Sequence, residues 1–158
     1  MESDSEPFRA RRYRNTNDIM PWNLGENHKP THNSYILYYH IVFVTLKRQP
    51  LINRAMADFL EQFFIDKCEE LEVHLLEQGI LCDHVHLVVS LRTTHYIPEI
   101  INYLKGTAAH EANNHRNFQN SLRWMRGYHI STIDKTNLER VKRYVRDQYK
   151  HHPDRIPI

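Results

Sequence analysis

The sequence predicts an α+β fold in which an antiparallel sheet carries helices on one face. Two observations support this. Runs rich in aromatic and β-branched residues alternate with segments of helical period, and their order is β-α-β-β-α-β-α. The 158 residues suit one compact domain, and 41% hydrophobic residues exclude a globally disordered chain. Without an apolar membrane span, a signal-peptide pattern or a disulfide framework, we expect a cytoplasmic protein with no membrane partner.

The first elements follow a polar segment. Residues 1–34 lack a sustained apolar period and predict a flexible arm. Residues 35–46 are dense in aromatic and β-branched side chains, which predicts a strand buried on both faces. From Leu51 the apolar residues recur on one helical face towards Leu71, so a first helix is expected there.

A hairpin and a second helix come next. Residues 73–81 predict a second strand with Gly79 as a bend or bulge, and residues 84–91 predict a third strand after a short turn. Pro98 opens a helix that is expected to end near Asn113.

The last elements complete a recognisable plan. Residues 124–133 predict a fourth strand broken by Gly127, and residues 138–150 predict a final helix. The first six elements match the ferredoxin-like split βαβ arrangement. We therefore expect one domain over residues 35–152 and a short tail over residues 153–158.

Charge is unevenly distributed along the chain. Residues 115–158 hold 10 basic and 4 acidic side chains, whereas residues 1–114 hold 11 basic and 15 acidic ones. A basic C-terminal quarter indicates an anionic partner, for which nucleic acid is the usual candidate. A solvated helix that is merely basic explains the same pattern, so charge leaves both interpretations open.

His84-Val85-His86 is the first candidate for chemistry among the 12 histidines. Side chains two apart on a strand point to the same side, so His84 and His86 project together. Such a pair can chelate a divalent metal if a third ligand arrives from elsewhere, and it can equally be a hydrogen-bonded surface pair.

Tyr144 and Gln148 form the second candidate. They lie four residues apart on the last predicted helix, hence on one face at the edge of its apolar stripe. A tyrosine hydroxyl can attack a phosphodiester, and Gln148 could add an amide oxygen to the two imidazoles around a metal. Simple packing of a single tyrosine is the alternative.

Together, these motifs resemble a known family. The stretches CDHVHLVVS, IINYLKGTAAH, WMRGYHIST and VKRYVRDQ are similar to the single-tyrosine HUH transposases of the smallest bacterial insertion sequences, whose elements move as single-stranded DNA. The similarity covers residues 35–150 in the family's order of elements. His84-Val85-His86 matches the His-hydrophobic-His motif.

The resemblance implies an activity, a cofactor and partners. Members nick and rejoin single-stranded DNA ends with subterminal hairpins through a 5′-phosphotyrosine, with Mg²⁺ or Mn²⁺, and usually as homodimers whose active sites can be shared between subunits. By motif, Tyr144 matches the nucleophile, His84 and His86 match the metal pair, and Gln148 matches the third ligand.

Other residues are candidates for supporting roles. Asp83 and His40 could orient the imidazoles, or they could be a turn residue and a buried structural histidine. Basic residues are the candidates for contact with DNA: Lys105, Arg126, Arg140, Lys142, Arg143 and Arg146. Two other functions stay open: a domesticated protein that binds DNA or RNA hairpins without cutting, and a metal-dependent hydrolase of another kind.

Overall fold

A computed structural model describes residues 35–158 apart from residues 116, 117 and 119. The predicted arm, residues 1–34, lies outside the described residues. The elements follow in the order β1 (Tyr38–Val44), α1 (Arg54–Glu70), β2 (His74–Ile80), β3 (His84–Ser90), α2 (Ile97–Asn114), β4 (His129–Ile133), α3 (Leu138–Arg146) and α4 (Gln148–His151).

The four strands form one sheet in the order β2-β3-β1-β4, with every neighbouring pair antiparallel. This arrangement confirms the predicted α+β, ferredoxin-like sheet and its hairpin between β2 and β3. In the register, β3 pairs with both β1 and β2, so that His86 lies opposite Val42 on one side and Gly79 on the other. The histidine motif therefore lies on an interior strand of the sheet.

The main core lies between one face of the sheet and the helices α1 and α2. Ile41 and Phe43 of β1 are fully buried there, together with the alternate residues of β3. On the opposite face, His40 and Val42 are only half-buried. The prediction that the first strand is buried on both faces is therefore wrong, because α3, the helix on that side, packs mainly on β2 and β3.

Two local features differ from the sequence prediction. The first helix begins at Arg54 rather than at Leu51, because Asn53 caps it by accepting a 2.9 Å hydrogen bond from the Met56 amide. The irregularity in β2 falls between Leu75 and Glu77, and not at Gly79.

The last two predicted elements are also shorter than expected. The fourth strand begins at His129, after a turn in which Gly127 has φ of 78°. The predicted continuous helix over residues 138–150 is wrong, because the backbone leaves helical geometry at Asp147 (φ −92°, ψ 15°) and resumes as the short helix α4. Gln148 consequently begins a new turn instead of continuing the face of α3.

Candidate metal and tyrosine site

The histidine pair lies on the sheet face opposite the main core. Val85 and Leu87 alternate with His84 and His86 along β3 and point into the core, which leaves both imidazoles on the other face. The two rings are 4.8 Å apart between centroids, and each histidine is only 7% exposed. The sequence prediction that they project together is thus realised in a largely buried setting.

Each imidazole is held through its Nδ1 atom. His84 Nδ1 donates to Asp83 Oδ1 at 2.5 Å, and His86 Nδ1 shares a 2.8 Å hydrogen bond with His40 Nε2. The His40 and His86 rings are also stacked, with centroids 5.1 Å apart. Asp83 and His40, the two candidates for orienting the pair, therefore each contact one imidazole through Nδ1, which leaves Nε2 as the nitrogen that can bind a cation.

Gln148 packs against β2, the neighbouring strand. It is 2% exposed, and its side-chain amide donates to the Tyr144 carbonyl at 3.2 Å. Its Cγ lies 3.5 Å from the point where a Cβ of Gly79 would lie, and Gly79 is the register partner of His86. The Gln148 side chain is therefore buried against β2, the strand that pairs with the histidine strand β3.

Two buried atoms here have no hydrogen-bond partner in the part of the chain that the structure describes. They are His86 Nε2 and Gln148 Oε1. Leaving buried polar atoms unpaired is costly, so such atoms call for an explanation. An amide oxygen and, in the tautomer that carries its proton on Nδ1, the Nε2 atom of His86 are both electron-pair donors that can bind a divalent cation.

The protonation states of His84 and His86 also favour binding of a cation. Burial lowers the pKa of His86 to about 3, and repulsion from the rings of His84, His40 and His152 adds to this effect. Burial also lowers the pKa of His84, although the neighbouring Asp83 opposes the shift. Both imidazoles are therefore neutral at pH 7, which is the form that binds metals.

If His84 and His86 hold a metal, the third ligand is not a described His, Cys, Asp or Glu side chain. Across residues 35–158, less the three that are not described, no group of three or more His, Cys, Asp or Glu side chains is arranged to hold an ion. Two imidazoles with Gln148 Oε1 supply the nitrogen and oxygen donors that suit a divalent ion with open positions. With Gln148 included, the candidate donors are two imidazole nitrogens and one amide oxygen, a set that can hold a divalent ion.

Tyr144 faces the same region from α3. Its ring meets His86 edge-on, with centroids 6.5 Å apart and an interplanar angle of 86°. Its other contact is a stack on His151 at 5.3 Å. The side chain remains 45% exposed, so a substrate can reach the phenol. Tyr144 thus lies in ring contact with His86, and the catalytic and metal-binding roles of Tyr144, His84, His86 and Gln148 stay predictions.

The position of α3 depends on two contacts with β2. A Cβ added to Gly79 would lie 2.6 Å from the Val145 carbonyl oxygen, a distance that only glycine permits. Two residues before Gly79 on β2, the buried Glu77 accepts hydrogen bonds of 2.9 and 2.6 Å from Arg146. Burial raises the pKa of Glu77 and Arg146 opposes that rise, so the guanidinium supports the ionised carboxylate.

Sequence reasoning missed the role of both residues in these contacts. The sequence predicts a bend or bulge at Gly79, whereas the structure shows that glycine is needed there for the close approach of α3. Glu77 was not singled out, and its pairing with a residue 69 positions away leaves no local pattern.

The six basic candidates for DNA contact fall into two groups. Three are exposed and form no ion pair within the described residues: Arg126, Arg140 and Arg143. The others are engaged in the fold. Lys105 donates to the carbonyls of Met125, at 2.9 Å, and of Gly127. Lys142 is buried and pairs with Glu139 at 3.1 Å, and Arg146 binds Glu77.

Comparison with known proteins identifies the family. Residues 33–148 match the family described as IS200-like transposases. The ISDra2 transposase TnpA of Deinococcus radiodurans is 23% identical over 121 residues, which span 73% of this chain and 86% of that protein.

Two solved structures share the fold. A transposase from Deinococcus radiodurans R1 superposes with a TM-score of 0.60 at 22% identity, covering 77% of this chain and 97% of that chain. A REP-associated tyrosine transposase, bound to a REP hairpin, gives 0.56 at 13% identity, covering 78% and 74%. The matched family defines the class of the protein as a transposase. Within that class, the chain belongs to the IS200-like family, the single-tyrosine HUH transposases.

A search of the described helices finds none with the length and apolar character needed to cross a membrane.

Proposed function

We propose that this transposase nicks and rejoins single-stranded DNA at one site formed by Tyr144, His84, His86 and Gln148. One observation carries the proposal. The exposed Tyr144 ring meets His86 edge-on, and two buried atoms, His86 Nε2 and Gln148 Oε1, have no hydrogen-bond partner among the described residues. A nucleophile next to a ready set of cation ligands is what phosphodiester cleavage requires.

The resemblance to the family implies the following chemistry. The Tyr144 oxygen attacks phosphorus, a bond forms between the two, and the bond from phosphorus to the 3′ oxygen breaks. The phenol loses its proton, and the departing oxygen gains one to become a free 3′-OH. The DNA remains joined to Tyr144 as a 5′-phosphotyrosine, and the reverse reaction with another 3′-OH rejoins a strand without an external energy source.

His84, His86 and Gln148 would hold a divalent ion, Mg²⁺ or Mn²⁺. When bound, the ion supplies positive charge that polarises the scissile phosphate. The fold keeps the two imidazoles neutral and fixes them through Asp83 and His40, so the ligands need little reorganisation on binding.

Hairpin-bearing single-stranded DNA is the proposed partner, and the cytoplasm is the expected compartment. Arg140 and Arg143 are exposed on the helix of the nucleophile, and Arg126 is exposed before β4. These charges can contact the phosphate backbone near the scissile bond. The solved relative bound to a REP hairpin supports a hairpin as the recognised feature. A homodimer remains a prediction from the resemblance.

The test is an adduct assay with the full chain, Mn²⁺ and an oligonucleotide from the flanking DNA that contains a palindrome. We expect a covalent protein–DNA adduct that Tyr144→Phe abolishes without loss of DNA binding. Tyr149→Phe is the matched control, because both tyrosines are 45% exposed. Normal adduct formation by Tyr144→Phe would show that the nucleophile is another residue. Hairpin binding that EDTA does not change, with no adduct on any substrate, would support the non-cutting function instead.

A further inference from the structure

The C-terminal segment returns to the histidine motif. Cys82, in the turn before β3, donates its backbone amide to the Arg155 carbonyl at 2.9 Å. Arg155 in turn donates its amide to the His152 carbonyl at 3.0 Å, within the turn Pro153–Arg155. Residues 153–158, predicted as a short tail, are thus bonded to the hairpin that carries the site.

Asp83 connects this segment to the metal-binding candidates. Its side chain is only 4% exposed, and its two oxygens face different partners. Oδ1 accepts from His84 Nδ1 at 2.5 Å, whereas Oδ2 accepts from Arg155 Nη1. A buried carboxylate needs such partners to remain charged and in one orientation.

Arg155 is the principal cation for this carboxylate. Arg48 also approaches Asp83 Oδ2, but at 3.9 Å and with 60% of its side chain exposed. The Arg155 side chain is 34% exposed and makes a direct hydrogen bond. Solvent therefore screens the Arg48 contact far more than the Arg155 contact.

We propose that Arg155 is a positioning residue for His84, acting through Asp83. By holding one carboxylate oxygen, Arg155 fixes the other oxygen against His84 Nδ1 and so fixes the direction of His84 Nε2. This inference rests on the metal site proposed above and adds to it a residue outside the stretch that matches the family, which ends at residue 148. A carboxylate that orients a metal-binding imidazole commonly affects metal affinity about 10- to 100-fold.

The experiment measures Mn²⁺ affinity of the full chain without DNA, from the free Mn²⁺ signal in electron paramagnetic resonance. Arg155→Gln removes the contact with the carboxylate and retains the backbone bond that anchors the segment. We expect it to weaken Mn²⁺ binding about tenfold or more. Arg155→Lys, which restores a cation, should recover part of the affinity. Arg48→Gln is the matched control and should change the affinity less than twofold. Hairpin binding in EDTA should be unchanged in all three variants.

Further variants separate this inference from the proposed function. If His84→Ala leaves Mn²⁺ affinity unchanged, the metal site itself is wrong. If His84→Ala abolishes binding but Arg155→Gln binds Mn²⁺ normally, the positioning role of Arg155 is overturned, whatever happens to its melting temperature. Should Arg155→Gln fail to fold with an unpaired buried charge, Asp83→Asn combined with Arg155→Gln removes that charge. Normal Mn²⁺ affinity of this double variant would equally overturn the inference.

Discussion

His86 is a buried ionisable residue whose charge state affects both stability and ligand binding. Its pKa is about 3 in the folded protein, against an ordinary value of 6.5. Below pH 6.5 the unfolded chain binds a proton at this ring that the folded chain does not. The stabilisation is therefore fully present above pH 6.5 and is lost as the pH falls towards 3.

We accordingly expect the free energy of unfolding of the metal-free protein to fall as the pH is lowered from 6 to 4. His86 alone should contribute up to about 1.4 kcal/mol per pH unit to this loss. His40 and His84, whose pKa values are also lowered by burial, add to the loss. Urea unfolding in EDTA at several pH values measures the slope. The slope should be smaller in His86→Gln, and an equal slope in that variant would contradict the prediction.

Gln148 offers a second prediction at this scale. We expect Gln148→Ala to weaken Mn²⁺ binding at least about tenfold, because it removes the amide oxygen that has no partner in the described structure. Gln148→Glu keeps an oxygen ligand and should retain binding. Isothermal titration calorimetry measures both, with Gln62→Ala on the exposed face of α1 as control. Unchanged affinity in Gln148→Ala would remove this residue from the ligand set.

Some of the site was predictable from single residues, and some was not. Alternation along a strand places His84 and His86 on one face, and a separation of four residues places Gln148 near Tyr144. The burial of Gln148 was not predictable, because it depends on the helix break at Asp147. The burial of Lys142 was not predictable either. In the sequence Lys142 is one of several similar basic residues, and it becomes buried only because α3 docks on the sheet.

At the scale of elements, the docking of α3 on β2 decides where the nucleophile lies. We expect Gly79→Ala to destabilise the protein by about 2 kcal/mol and to slow adduct formation, because the new methyl group would overlap the Val145 carbonyl oxygen. Thermal unfolding and the adduct assay measure the two effects.

Gly106→Ala is the matched control for this variant. Gly106 lies within α2, and a Cβ there would meet nothing within 4 Å. Alanine should stabilise that helix by about 1 kcal/mol and leave adduct formation unchanged. If Gly79→Ala is as stable and as active as the original protein, the close contact between α3 and β2 is not needed to place Tyr144.

Other features at this scale show why element order was easier to predict than element contacts. Hydrophobic period and β-branched runs predict all four strands and the two core helices, although the fourth strand is shorter than predicted. The pairing of Glu77 with Arg146 arises only after β2 and α3 meet, so nothing near either residue indicates it. The contact of Arg155 with Asp83 likewise joins residues that are far apart in the sequence, so no local pattern indicates it.

At the scale of the whole molecule, one chain contains every residue of the proposed site. Tyr144 lies against His86 of its own sheet, and Gly79 and Glu77 hold α3 there. Sequence resemblance left open whether the tyrosine helix serves its own subunit or a partner. We predict from the contact between Tyr144 and His86 that each subunit uses its own tyrosine helix.

A mixing experiment tests this arrangement. Tyr144→Phe retains the metal ligands but lacks the nucleophile, and His86→Ala retains the nucleophile but lacks a ligand. If each chain uses its own α3, a mixture of the two variants should form no more adduct than either variant alone. Adduct on the His86→Ala chain, distinguished by a size tag, would instead show that α3 completes the site of a partner. Wild-type protein mixed with His86→Ala is the control: adduct should appear only on the wild-type chain, because an intact site needs both residues in one fold.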